Sequence, residues 1–301
     1  MKIALLNDTH FGVRNDSEAF RKYQLRFYNE IFFPYLKEHN IKTLVHLGDV
    51  VDRRKFINFQ TASIFRKQFF DRLYDEKIDT HIIIGNHDTY FKNTNKVNAI
   101  ENLYSSFDKV NEPFIYTKST VVDFDGTPIL FTPWICDDNY EHSMEMLRTA
   151  KADLCFGHLE IKGIEMQNGV INEYGLAKSD FSRFEKVVSG HFHKHTDDGQ
   201  IFYCGAQYEM TWSDYKDPKA FHVFDTETRE MTRISNPLTI HKKIIYDDKK
   251  HDYTNFDIQP YNEHFIKLIV LNKTNNEVFD KFVERLYNEI SVHDLNIVED
   301  Y

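Results

Sequence analysis

The sequence is short of cysteine, of positive charge and of long apolar runs, and each shortage closes off a class of protein. Its three cysteines, Cys136, Cys155 and Cys204, are scattered along 301 residues. An odd, dispersed set supports neither a disulfide framework nor a zinc cluster, and it predicts reduced thiols in a cytoplasmic protein. No apolar run approaches the roughly 18 residues that a membrane-crossing helix needs, so no membrane association is expected. The N-terminus enters strand-like sequence at once, without the pattern of a signal peptide. Lys and Arg number 37 against 47 Asp and Glu, a formal net charge of −10. That balance excludes a protein that grips nucleic acid by bulk charge alone, but not one that works through bound divalent cations. No internal repeat or low-complexity segment is present.

What is there suffices for a large core: 41% of residues are hydrophobic and 15% aromatic, mostly Phe and Tyr. The length allows one large domain and a smaller one. Strand-like runs at Lys2–Asn7, Thr43–Leu47 and Thr80–Ile84 alternate with two helical patterns. The first helical pattern repeats Phe20, Tyr23, Phe27, Ile31 and Tyr35, with Asp16 or Ser17 as N-cap and Pro34 expected to kink or break it. The second covers Thr61–Tyr74. Strand–helix alternation implies a parallel sheet whose turns all leave on one side.

The second half is richer in strands. Asp125-Gly126 marks a hairpin within Val121–Phe131, Tyr140–Thr149 reads as a helix, and Ala152–Phe156, Lys186–Ser189, Ile201–Tyr203 and Phe221–Phe224 read as strands. They predict a second sheet facing the first. Residues 246–258 are polar and read as a linker. Residues 259–301 read as a small βαβ cap, too short to be stable alone. The expected class is α/β, a two-sheet sandwich flanked by helices, over residues 1–245, with the linker and the α+β cap behind it.

Polar groups gather where the predicted strands end. Asp8 and His10 follow the first strand, and Asp49 follows Gly48 after the second. Asn86, His87 and Asp88 follow Gly85 after the third. His158 follows Gly157, and His191 and His193 follow Gly190. The carboxyl ends of strands are where sites are built in an open α/β sheet. Taken singly, each residue has an ordinary reading as a turn former, a helix cap or a satisfied loop histidine. His191 and His193 are stronger, because alternation in an extended segment puts both imidazoles on one side. Jointly, a set of imidazoles, carboxylates and one amide suits manganese, iron or zinc better than magnesium or calcium. Seven donors are too many for one tetrahedral ion. They match two metals about 3.5–4 Å apart that share a bridging carboxylate. In the Gly85–Asp88 turn an imidazole can pass a proton and a carboxylate can orient it. The remaining histidines, His195 and His222 among them, fit no such turn and are expected on the surface or in the core.

With these motifs in view, Asp8-x-His10, Gly48-Asp49-x-x-Asp52, Gly85-Asn86-His87-Asp88, Gly157-His158 and Gly190-His191-x-His193 resemble the calcineurin-like metallophosphoesterases. Within them the chain looks most like the SbcD-type double-strand-break repair nucleases, particularly the compact bacteriophage recombination endonuclease subunits. The further matches are Pro133-Trp134-Ile135-Cys136, His158 to Gly163, Tyr203 to Ala206, Asp217 to Phe221 and Asp225 to Thr228. The resemblance implies one metal on Asp8, His10, Asp49 and His193, and a second on Asp49, Asn86, His158 and His191. It makes manganese the expected ion, with magnesium as second choice, His87 the general acid and Asp88 its orienting group.

The implied activity is 3′ to 5′ exonuclease on duplex DNA and endonuclease on single strands or hairpins. The implied partners are DNA, an SMC-like ATPase and a second copy of the chain, in the cytoplasm of a host cell if phage-encoded. The alternatives are a metallophosphoesterase with another phosphate ester as substrate and a non-catalytic scaffold. Asp52 stands where some relatives carry His, so a second catalytic imidazole is not expected. Arg53-Arg54-Lys55, beside the second turn, reads equally as a solvated charged loop and as a basic loop that holds DNA phosphates, with Arg53 and Arg54 the candidate contacts. Tyr90 and Phe91 read first as core residues and second as a place for an unpaired base to stack.

Overall fold

The computed structural model describes residues 1–104, 113–167 and 169–299. In chain order the strands are β1 (Lys2–Leu6), β2 (Thr43–His46), β3 (Asp79–Ile83), β4 (Phe114–Tyr116), β5 (Thr120–Phe124), β6 (Thr127–Thr132), β7 (Leu154–Gly157), β8 (Glu165–Gln167), β9 (Val170–Ile171), β10 (Lys186–Ser189), β11 (Thr196–Asp197), β12 (Ile201–Tyr203), β13 (Lys219–Asp225), β14 (Met231–Asn236), β15 (His241–Asp247), β16 (Phe265–Asn272) and β17 (Asp294–Glu299). Two sheets of six strands dominate, ordered β14-β13-β1-β2-β3-β4 and β11-β12-β10-β7-β6-β5. β1, β2 and β3 are parallel, and so are β6, β7, β10 and β12. Each parallel group therefore ends along a single edge of its sheet.

The sheets face each other across a core in which Ile3, Leu5, Val45, Leu47 and Ile83 meet Phe131, Leu154, Phe156, Val188 and Phe202. Burial on both faces explains the unbroken apolar runs of these strands. Beyond the first sheet lies an aromatic layer: Phe11 stacks on Phe65 at 3.7 Å, and Tyr28 meets Phe69 at 5.0 Å. Leu130, Leu147, Phe181 and Val187 cover the far side of the second sheet. The Asp125-Gly126 turn joins β5 to β6, with both residues at positive φ, 52° and 82°, as a tight two-residue hairpin requires.

Pro34 does not end its helix. The turn at Tyr28–Phe32 widens to π geometry, and Pro34 becomes the second residue of a further helical segment that runs to Glu38. A wider turn just before a proline accommodates the hydrogen bond that the ring cannot donate. The next helix starts at Phe59, where Asn58 caps it by accepting from Gln60 N and Thr61 N.

The chain divides into two compact units, Met1–Tyr208 with Asp217–Pro237, and Glu209–Lys216 with Leu238–Tyr301. In the smaller unit β15, β16 and β17 form a parallel sheet. The helix Asn276–Asn288 adds Phe279, Phe282 and Leu286 to its core. The segment read as linker starts inside β15, whose Tyr246 is buried and pairs with Val270. The unit boundary thus falls at Leu238, ahead of the expected 246–258. Lys242 and Lys243 concealed this strand, because their charges interrupt its apolar alternation.

Candidate metal centre

All the strand-end turns named above converge. Donor atoms lie within 4.8 Å of one another in three overlapping groups: Asp8, His10 and His193; His10, Asp49 and His87; Asp49, His158 and His191. Asn86 joins the last group, its Oδ1 2.9 Å from His158 Nε2 and 3.1 Å from His191 Nδ1. Asp8, His10, Asp49 and Asn86 come from the first sheet, and His158, His191 and His193 come from the second.

Backbone hydrogen bonds set the turns against one another. Asp8 N donates to Gly48 O at 2.9 Å, His10 N to Asp49 O at 3.1 Å and Phe11 N to Val50 O at 2.8 Å. Asp8, His10, Asp49 and His191 hold left-handed backbone, with φ of 48°, 43°, 57° and 87°. Such residues cost about 1–3 kcal/mol each and persist only where the surroundings over-determine them. Gly85 is needed for close approach, since a Cβ there would collide with the backbone nitrogen and Oδ1 of Asp49.

His46 braces these turns from below. Its Nδ1 accepts from Gly48 N at 3.2 Å, so its Nε2 carries the proton toward Thr9 Oγ1 at 3.1 Å. The Thr9 hydroxyl in turn donates to Val50 O at 3.0 Å. Burial holds His46 down at about 3, which keeps this neutral tautomer in place.

The donor set fits divalent cations. Asp8 Oδ2 accepts from Asn7 Nδ2 at 2.6 Å and from His191 N at 2.9 Å. Its Oδ1 is buried without a hydrogen-bond partner. That oxygen lies 3.8 Å from His10 Nε2 and 3.7 Å from His193 Nε2. Asp49 Oδ1 accepts from His87 N at 2.7 Å, while Oδ2 lies 3.4 Å from His158 Nε2 and 3.8 Å from His10 Nε2. Donors bonded at about 2.0–2.2 Å to one ion sit about 3–3.5 Å apart. These separations match that spacing or slightly exceed it. His158 Nδ1 donates to Leu47 O at 2.7 Å, which leaves Nε2 facing the site as a ligating imidazole needs.

The electrostatics are those of a buried mixed-charge cluster. Burial alone would pull His10 down, but the neighbouring carboxylates of Asp52, Asp8 and Asp49 push it up to about 10. Burial likewise opposes His158, and the Asp49 charge lifts it to about 9. Burial would raise Asp8 and Asp49. For Asp8 the nearby His10 imidazole and the charges of His158 and His193 hold it below the ordinary carboxylate range, and for Asp49 the charge of His158 leads. Burial and the His158 charge hold His191 down at about 4.

Asp88 is not placed to orient His87, contrary to expectation. Its carboxylate accepts from four backbone N–H groups, of Gly85, Asp49, Val50 and Val51, at 2.8–3.2 Å. It ties the third turn to the second. Burial and the Asp49 charge lift it to about 7, against the pull of its backbone donors. The His87 ring is held instead by Nδ1, which donates to the Asp52 carbonyl. The imidazole stands 4.8 Å from that of His10, edge to face.

Arg53 is engaged by Asn15 Oδ1 at 3.0 Å and by the Asp16 carboxylate. Arg54 is half-buried, with an Nη1 that has no hydrogen-bond partner. Sequence reasoning passed over Asn7, His46 and the ring of Trp134, which stands 5.3 Å from His191. The one available signal was a histidine inside the apolar run Thr43–Leu47. His222 is fully buried and packs 5.1 Å from Phe202, a core histidine as expected.

Two half-sets of imidazoles and carboxylates meet on one aspartate at the edge of a two-sheet α/β sandwich, an arrangement that could hold a pair of divalent cations. The sequence pattern of the calcineurin-like phosphoesterases matches residues 1–195, and the chain belongs to that family. It is also 34% identical over 299 residues to Exonuclease subunit 1 of Enterobacteria phage T4, covering 99% of this chain and 84% of that protein. Among solved structures, an archaeal phosphodiesterase is 15% identical, with 78% of this chain and 100% of that one covered and a TM-score of 0.38. A protein of unknown function from Aquifex aeolicus is 16% identical, covering 68% and 89%, with a TM-score of 0.29. Among the described residues no helix is long and apolar enough to cross a membrane.

Proposed function

We propose that this phosphoesterase is a DNA nuclease, trimming duplex ends from 3′ to 5′ and cutting single strands or hairpins. We further propose that it is the nuclease subunit of a complex with an SMC-like ATPase, works as a pair of chains in the cytoplasm, and uses manganese by preference. The observation that carries this reading is the 34% identity, along nearly the whole chain, to a phage protein named as an exonuclease subunit. That name also supports a partner protein.

Asp8, His10, Asp49 and His193 would hold one divalent cation, and Asp49, Asn86, His158 and His191 the other. Bound there, the cations would act as Lewis acids and lower the pKa of water. The protein's own part is to fix geometry and move a proton. Asp49 presents one oxygen toward both half-sets while its other oxygen is held by His87 N. His87, with Nδ1 engaged by the Asp52 carbonyl, offers Nε2 to protonate the departing sugar oxygen. Asp88 keeps the two turns that carry Asp49 and His87 in register.

The test is purified chain with manganese or magnesium, given labelled duplex, hairpin and single-stranded DNA beside a phosphopeptide and a cyclic nucleotide. Progressive shortening of duplex and nicking of hairpins is expected. Phosphate release from the peptide, or turnover of the cyclic nucleotide, with intact DNA would overturn the reading. Metal binding without turnover of any substrate would mark a scaffold.

A further inference from the structure

Tyr90 and Phe91 lie just past the Gly85–Asp88 turn, with Thr89 between, and they are not core residues. Tyr90 is 41% and Phe91 48% exposed, with ring centroids 4.7 Å apart at 70°. Single exposed aromatics are unremarkable on a protein surface, but three observations set this pair apart.

The first is that its loop is pinned. Tyr90 N donates to Val97 O at 2.9 Å, and Ala99 N to Asp88 O at 2.8 Å. Thr89 and Asn98 form a β-bridge, and Asn95 Nδ2 donates to Trp134 O at 2.8 Å. The rings are thus presented on a closed, anchored loop, and a ligand that stacks on them pays little ordering entropy.

The second is charge. Lys55, from the loop after Asp52, places its Nζ 5.4 Å from the Tyr90 ring centroid. On the same loop Arg53 lies 4.4 Å over the exposed ring of Phe56. Cations and aromatic faces thus share one patch on a chain whose formal net charge is −10. The third is position. Tyr90 is three residues past His87, so their Cα atoms are at most about 11 Å apart. That is about three steps of a stacked strand at roughly 3.4 Å each. The two loops also meet at the site itself, where the Asp52 carbonyl receives His87 Nδ1.

Resting on the DNA reading above, we infer that Tyr90 and Phe91, with Lys55, form a stacking subsite for an unpaired nucleobase within a few nucleotides of the scissile phosphate. Stacking on aromatic faces is indifferent to sequence, because every base has a π-face. Lys55 would meet the phosphate that accompanies the stacked base. Such a subsite holds a frayed end over the metals without the bulk positive charge that this chain lacks.

The experiment uses the full chain and a phosphorothioate strand that resists cleavage, carrying 2-aminopurine near a frayed 3′ end. The wild type should quench the fluorophore by stacking. Y90A/F91A should lose the quenching and bind the frayed end about 5- to 100-fold more weakly, and Y90W/F91Y should restore both. Equal quenching by wild type and Y90A/F91A, in a chain that still cleaves DNA, overturns the subsite alone. A shift in solution mass of Y90A/F91A with quenching unchanged identifies the patch as a protein contact and overturns it as well. A wild type that neither binds nor cleaves any DNA overturns the subsite together with the nuclease reading.

Discussion

The Nε2 atoms of His10 and His193 face one another at 3.1 Å, although 183 residues separate them in the chain. Two neutral imidazoles cannot both turn lone pairs to each other at that distance without repulsion. Either a proton or a cation has to lie between them. The same question holds across the cluster, where His10 sits at about 10 and His158 at about 9.

In metal-stripped protein both imidazoles therefore carry a proton at pH 7–8, whereas a ligating imidazole must be neutral. Metal loading is expected to release protons. Affinity should rise with pH up to about 9–10 and level off beyond, by up to about tenfold per unit for each proton displaced. Titration calorimetry in two buffers of different ionisation enthalpy reads the protons directly. Heats independent of buffer, with affinity flat from pH 6 to 9, would show that these histidines are already neutral.

Asp49→Asn removes the carboxylate oxygen that both half-sets approach. Elemental analysis after dialysis should find about two metals per wild-type chain and about one or fewer in the variant. Wild-type stoichiometry in the variant would remove Asp49 from its bridging position.

His87→Ala should keep full metal content while DNA cleavage falls about 10²–10⁴-fold. An ester with a nitrophenolate leaving group needs no proton on departure, so its hydrolysis should fall far less. An equal loss on both substrates would assign His87 to binding rather than to proton transfer.

Asp88→Asn tests a different role. The amide nitrogen of Asn would point a donor at N–H groups that now donate to a carboxylate. Unfolding is expected to become easier by about 2–4 kcal/mol, with metal content falling in parallel, as followed by thermal melts beside elemental analysis. A variant that melts like the wild type but cleaves poorly would return Asp88 to an orienting role at His87.

The parallel run of β1, β2 and β3 and the polar turns that end these strands could be read from the sequence, because each turn follows an apolar run and parallel strands send all such runs out on one side. That Asp8, Asn86 and His191 are brought together was legible for that reason. Asp88 was misplaced because adjacency in sequence suggested adjacency in space, while the turn at Gly85 sends consecutive side chains in different directions. His46 went unread because a polar residue inside an apolar strand shows its purpose only when Thr9 and Gly48 lie beside it. β15 was lost to its two lysines, whose stems can lie along a sheet while their charges stay in water.

The division of donors between the sheets carries a mechanical consequence. Asp8, Asp49 and Asn86 are anchored in one layer, and His158, His191 and His193 in the other. A cation pair gripped by both would act as a rivet through the sandwich. Chelation should then loosen the whole layered body from that rim, so that amides along β2 and β10 exchange with solvent faster together rather than one by one.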